Sequence, residues 1–156
     1  MTLHDFIIFV DERVTVVYQT LGEIQPMWHA VTASGEHRIL PSPDMHKDTA
    51  AILMREYFKL HDVKRYVFID EAWQLETPVI DENEMREIAR RGLEHHPDRI
   101  EVLSYQAEDD SGLITAQRVI TRLPSGKGQL GRLEFTQSQQ SEGRLVGMLP
   151  VKGTVQ

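Results

Sequence analysis

The sequence predicts an α+β fold: an antiparallel or mixed β-sheet with about three helices packed on it, in the order α-ββ-α-β-α-βββ-β. Three observations predict it. Helical periodicity is concentrated in the first two thirds of the 156 residues, and strand-like runs fill the last third. Short turn signals, "ASGE", "EDDSG" and "PSGKG", separate runs rich in apolar and β-branched residues, as hairpins require. Hydrophobic residues make up 40% of the chain and charged residues 26%, which is globular and leaves enough apolar material for a core. Residues 1–150 read as a single domain and 151–156 as a frayed tail.

The first element, "DFIIFVDERVTVVYQTL" at 5–21, is either a helix or a hairpin about "DER". Its β-branched content favours strands, but its period favours a helix. At about 100° per residue, Asp11, Glu12, Thr15 and Gln19 share one polar arc. Phe6, Phe9, Val10, Val14, Val17, Tyr18 and Leu21 share the opposite one, and Gly22 ends the run. A hairpin follows, Met27–Thr32 with His37–Leu40. "PSPD" then breaks the chain, and Asp44 is the expected N-cap of a helix over about 45–61. Ala50, Leu53, Met54, Tyr57 and Phe58 form its inward face. The strand 63–76 comes next, then a loop from Thr77 to Ile80. Asp81 and Glu84 have the spacing of a capping box. The helix they open is spaced by Met85, Ile88, Ala89 and Leu93 and stopped by Pro97. Strands over 99–107, 113–123 and 129–136 follow. "QSQQSEG" at 137–143 reads as a loop, and "RLVGMLP" as a short final strand.

Bulk properties exclude several classes of function. With no cysteine there is no disulfide, no thiolate zinc site and no cysteine nucleophile. The N-terminus lacks the pattern of a signal peptide, and no apolar run has the length of a membrane span. A net charge of −7 lacks the basic excess of a nucleic-acid binder, so no direct nucleic-acid binding is expected. "PSGKG" lacks the remainder of a phosphate loop, so no cofactor is expected.

The chemically distinctive stretch is "YVFIDEAWQLE". Alternation along a strand sets Val67, Ile69, Glu71, Trp73 and Leu75 on one face. Glu71 is then either wet or paired with a nearby Arg at the end of a sheet, or a buried acid with a raised pKa, and so a candidate general acid or base. Asp70, on the other face, cannot act as its close partner. His29 and His37 lie on adjacent strands of the hairpin. With Glu71 they would make a two-His-one-carboxylate set, although no established metal motif is present. Otherwise they are ordinary hairpin residues. Trp28 and Trp73 are core residues whose indole N–H meets Glu71 or Asp70, or else exposed docking residues.

Pro26-Met27-Trp28, the turn Thr32 to Gly35, Glu71-Ala72-Trp73 and Pro97-Asp98-Arg99 resemble segments shared by a set of small uncharacterised bacterial proteins, some of them phage- or plasmid-borne. The resemblance spans roughly residues 20–110. It implies a bacterial or mobile-element accessory and carries over no activity. The function expected is a non-enzymatic cytosolic interaction domain that contacts a protein partner or a second copy of itself. Its interface would be seeded by the apolar arc of the first helix. The alternatives are a small hydrolase or metal-dependent enzyme using Glu71 with His29 or His37, and an acidic modulator of a nucleic-acid-binding partner. The last needs one dense acidic face including Asp81, Glu82, Glu84, Asp109 and Asp110.

Overall fold

The structure is a computed structural model that describes residues 1–75, 81–136 and 148–149, with Lys47 described by its backbone alone. The first element is a helix, α1 (Leu3–Leu21). Its start is closed by a capping box. The Thr2 hydroxyl accepts the Asp5 N–H at 3.1 Å, and the Asp5 carboxylate accepts the Thr2 N–H. Its end is the left-handed Gly22, φ 81°. Leu3, Phe6, Ile7, Val10, Val14 and Tyr18 are buried. Two expectations for this helix are corrected. Val17 and Leu21 are exposed, because Tyr18 is the only buried residue of the last turn and a half. Asp11, placed on the polar arc by periodicity, is 3% exposed and belongs to the buried face. It adjoins Ile7 and Val14 on the helix surface, and a partner in the sheet compensates its charge, as described below.

The strands are β1 (Met27–Thr32), β2 (His37–Pro41), β3 (Val63–Leu75), β4 (Arg99–Asp109), β5 (Gly112–Arg122), β6 (Gly128–Leu130) and β7 (Glu134–Thr136). They form one antiparallel sheet in the order β2-β1-β3-β4-β5-β6, with β7 also on β5. The expected strand 129–136 is therefore two short strands. Ile120 pairs with Leu130, but Gln117 pairs with Glu134, so one extra residue lies on the outer strand. Such a bulge breaks an edge and so hinders edge-to-edge pairing. Of the expected final strand 144–150 only Met148 and Leu149 are described, and neither lies in a strand. Residue 76, the loop 77–80, the loop 137–143 and the tail 151–156 lie outside the described residues.

The helix α2 (Lys47–Leu60) begins at His46, whose Nδ1 accepts the Asp48 N–H at 3.2 Å; the expected cap, Asp44, is not used. Helix α1 covers one face of the sheet and α2 the other. Residues of β3 alternate between the two cores: Val67 and Ile69 pack with α1, Tyr66 with α2. On the α2 side Ala51, Met54 and Phe58 pack on Trp28, Ala30 and Tyr66. Leu53, expected inward, is exposed, and Ala51 is buried in the α2 core instead. Each large buried side chain contributes about 1.5–3 kcal/mol.

The helix α3 (Glu82–Arg91) differs from the other two: none of its residues is buried. It ends at Gly92, φ 81°, followed by a 3₁₀ turn over Leu93–His95, several residues before Pro97. Asp81 caps it by accepting the Asn83 N–H at 2.7 Å. The expected reciprocal bond from Glu84 is replaced by a 2.6 Å contact to His96. No described helix is long and apolar enough to cross a membrane.

Candidate functional site

Glu71 lies on the α1 face of β3, two residues beyond Ile69. Its Oε1 accepts the backbone N–H of Ile24 at 3.0 Å. Ile24 is buried and sits between the end of α1 and the start of β1, so Glu71 fixes the chain as it turns from helix to sheet. Burial raises its pKa above the ordinary carboxylate value. The Ile24 hydrogen bond and Arg122 oppose that rise, while Glu101 and Glu23 reinforce it. Glu101 is itself held by Arg122 in two contacts of 2.7 and 2.8 Å.

His29 and His37 do meet. The register pairs His29 with Ile39 and Val31 with His37, which places the two histidines diagonally on one face. His29 Nε2 and His37 Nδ1 are 2.8 Å apart, so one ring donates to the other. His29 is 5% exposed and lies edge-on to Phe6 and Phe9. Burial pushes its pKa down to about 4, with His37 and Arg13 adding to the effect. It is therefore neutral at pH 7 and held as a packed core histidine.

The three residues do not converge. His29 pairs with Val67 across the sheet, and Glu71 lies four residues further along β3. At about 3.3 Å per residue the separation is roughly 13 Å. Among the described residues no group of three or more His, Asp or Glu could hold a metal ion. Two cavities in the described part have volumes of about 70 and 110 Å³. Small-molecule sites typically have roughly 300–1,000 Å³. The smaller cavity, between α1 and the β1–β2 hairpin, is lined mainly by apolar side chains including Val10, Val14 and Ile39.

The tryptophans divide. Trp28 is buried on the α2 face among Phe58, Tyr66 and Phe68, and its indole N–H has no hydrogen-bond partner among the described residues. The expected contact of this indole with Glu71 is absent because the two side chains lie on opposite faces of the sheet. Trp73 is 40% exposed, and the Arg99 guanidinium lies 5.1 Å from the centre of its ring. Of the acids expected on one face, Asp109 and Asp110 stand at the far end of β4 from the turn that carries α3. On α3 itself, acids alternate with Arg86, Arg90 and Arg91.

Two features escaped the sequence reading. The first is a buried ion pair that joins helix to sheet. Arg118 of β5 donates to both oxygens of Asp11, at 2.9 and 2.6 Å, and the Tyr105 hydroxyl donates to Asp11 at 2.6 Å. Arg118 also donates to the Gly131 carbonyl at the bulge. The available signal was an acid in the apolar run "FIIFVDERV". The second is the exposure of α3. Its apolar residues Met85, Ile88 and Ala89 have core spacing, yet Met85 is 59% exposed and none of the three is buried.

Compared with family models, curated proteins and solved structures, the chain matches none of them.

Proposed function

We propose that this is a non-enzymatic protein-interaction domain, a cytosolic accessory of a bacterial or mobile-element system, and that α3 is its contact surface. One observation carries the reading: a capped, strongly amphipathic helix has no fully buried residue, its Met85 and Ala89 being exposed and only Ile88 and Glu84 half-buried. A helix of ten residues is marginal in water without tertiary packing. Its apolar stripe therefore gains most from a surface supplied by another molecule. Two further facts support the reading. The apolar arc of α1, the interface suggested by sequence, is already used by the sheet. His29 and His37 bond to each other, and Glu71, bonded to the Ile24 N–H, lies apart from them.

The test is photo-crosslinking in the native host. A benzoylphenylalanine at position 85 is expected to form a discrete adduct, lost on adding Ile88→Asp. The same probe at the exposed Lys127 is expected to form none. The Met85→Asp chain is expected to keep the wild-type midpoint of unfolding, since Met85 is exposed. Absence of any adduct at position 85 would sink the proposal.

A further inference from the structure

We infer that β2 is the seam of a homodimer, in which the β2 strands of two copies pair antiparallel about a twofold axis at Arg38 and join the two sheets into one. This is a second surface, independent of the reading of α3, and either can fail alone.

The hairpin fixes which backbone groups of β2 are free. At its two ends the Thr32 N–H donates to the Glu36 carbonyl and the Ser42 N–H to the Pro26 carbonyl. The register between them is unbroken, so bonded pairs recur at every second residue and include Arg38 and Leu40. The N–H and C=O groups of His37 and Ile39 therefore point away from β1, where no strand lies among the described residues. Pro41, the next outward position, has no N–H to offer. The opposite edge of the sheet is bulged and built from three-residue strands, whereas β2 is regular up to Pro41. Exposed apolar side chains flank the free edge on both faces. On the α1 face Ile39 and Val17 are exposed and line the small cavity beside the hairpin. On the α2 face Arg38 donates to the Tyr57 hydroxyl. That contact turns the flank of α2 carrying Tyr57 and the exposed Leu53, one turn apart, towards the same edge.

The strand that fits this edge is a copy of β2 itself. A twofold contact requires a patch that complements itself after a half-turn. Outward groups meet outward groups when the axis passes through Arg38, Ile39 or Leu40. At Ile39 the Pro41 ring would face His37 of the second copy, and at Leu40 it would face Ile39. At Arg38 no proline intervenes, and His37 of each copy exchanges both its hydrogen bonds with Ile39 of the other. The charges favour the same register. Arg38 is ion-paired with Glu36 of its own strand at 2.7 Å. Across the axis the two Arg38 side chains stand opposite, and each has Glu36 of the other copy as a diagonal neighbour within reach of a long side chain. The repulsion between like charges is thus offset by an alternating ring of acids and bases. A foreign strand lacking an acid two residues before its base would leave Arg38 without that match. The contact is small, so the dimer belongs to the weak, concentration-dependent class.

Amide hydrogen exchange of the purified full-length chain tests the seam residue by residue. Between micromolar and millimolar concentration the His37 and Ile39 amides are expected to slow roughly tenfold, while the Arg38 and Leu40 amides, bonded to β1, keep their rates. Exposed Glu36→Lys, which leaves only cations about the axis, is expected to abolish that slowing with the circular dichroism retained. The absence of cysteine lets disulfide cross-linking check the register. Arg38→Cys is expected to self-cross-link under mild oxidation, because opposite residues of a non-hydrogen-bonded pair have Cα atoms about 4.5 Å apart. Ile39→Cys is expected not to, since its two copies are diagonal at roughly 7–8 Å. Random collision would give the reverse order, because Ile39 is 59% exposed and Arg38 only half so. His37 and Ile39 amides that exchange fast at both concentrations would overturn the inference. Amides protected equally at both would also overturn it, by showing that another segment of the same chain covers the edge. Preferential Ile39→Cys cross-links would overturn the Arg38 axis.

Discussion

Asp11 shows how a single residue can be misjudged by periodicity and still be understood physically. A carboxylate in an apolar core is tolerated only when its charge is compensated. Arg118 supplies a bidentate partner and Tyr105 a further donor. Removing one member leaves the others buried and unpaired, which typically costs about 3–5 kcal/mol. Arg118 retains 22% side-chain exposure, so Asp11→Ala is expected to destabilise the protein by about 3 kcal/mol, at the low end of that range. Urea denaturation measures it. A loss below about 0.5 kcal/mol, the scale of an ordinary surface substitution, would show that the pair contributes little. Glu71, the acid that interrupts an apolar strand, has as its partner a backbone N–H from a distant loop. Side-chain spacing cannot announce such a partner.

At the scale of elements, the packing of α1 against the bulged edge depends on one glycine. A methyl group added at Gly128 would stand 1.9 Å from the Tyr18 hydroxyl oxygen and 3.0 Å from Ile120 Cγ2. The "PSGKG" turn therefore ends in a position with no room for a side chain, because Tyr18 of α1 occupies that space. Gly128→Ala is expected to cost about 1–3 kcal/mol, the usual range for overpacking. The Tyr18 hydroxyl is buried without a hydrogen-bond partner among the described residues. Tyr18→Phe is therefore expected to be near neutral, and it should recover part of the Gly128→Ala loss. Strict additivity in the double-mutant cycle would show that the two sites do not touch. Helix α1 itself was legible because its period outweighed its β-branched content. The split of 129–136 into β6 and β7 was not, since a one-residue bulge leaves the local composition unchanged.

Over the whole molecule, two cores share β3, so groups titrating in either core act on the same fold. His29 has a folded pKa of about 4 against 6.5 when free. Between those values the unfolded chain binds more protons than the native one. The His29 contribution is thus complete above about pH 6.5 and is lost as pH falls towards 4, by roughly 3 kcal/mol in all. Glu71 runs the other way. Its raised folded pKa makes the native state the better proton binder, so stability is gained as pH falls through that value. Urea midpoints across this window are expected to decline towards acid in the wild type. The decline should flatten in His29→Gln and steepen in Glu71→Gln. An unchanged profile in His29→Gln would refute the assignment.

The sequence by itself determined the class of the fold, the order of its elements and most of their bounds. These follow from local periods and turn residues that act within a few positions of one another. It also determined which residues were chemically unusual: Glu71, His29 and His37. Only the tertiary structure decided what those residues meet, because register and helix placement are set by contacts between segments far apart in the chain. It put the two histidines together and Glu71 under a loop, and it buried Asp11. It also left the apolar stripe of α3 outside the core, a result local amphipathicity cannot predict, since a stripe made for the core and one made for a partner have the same period.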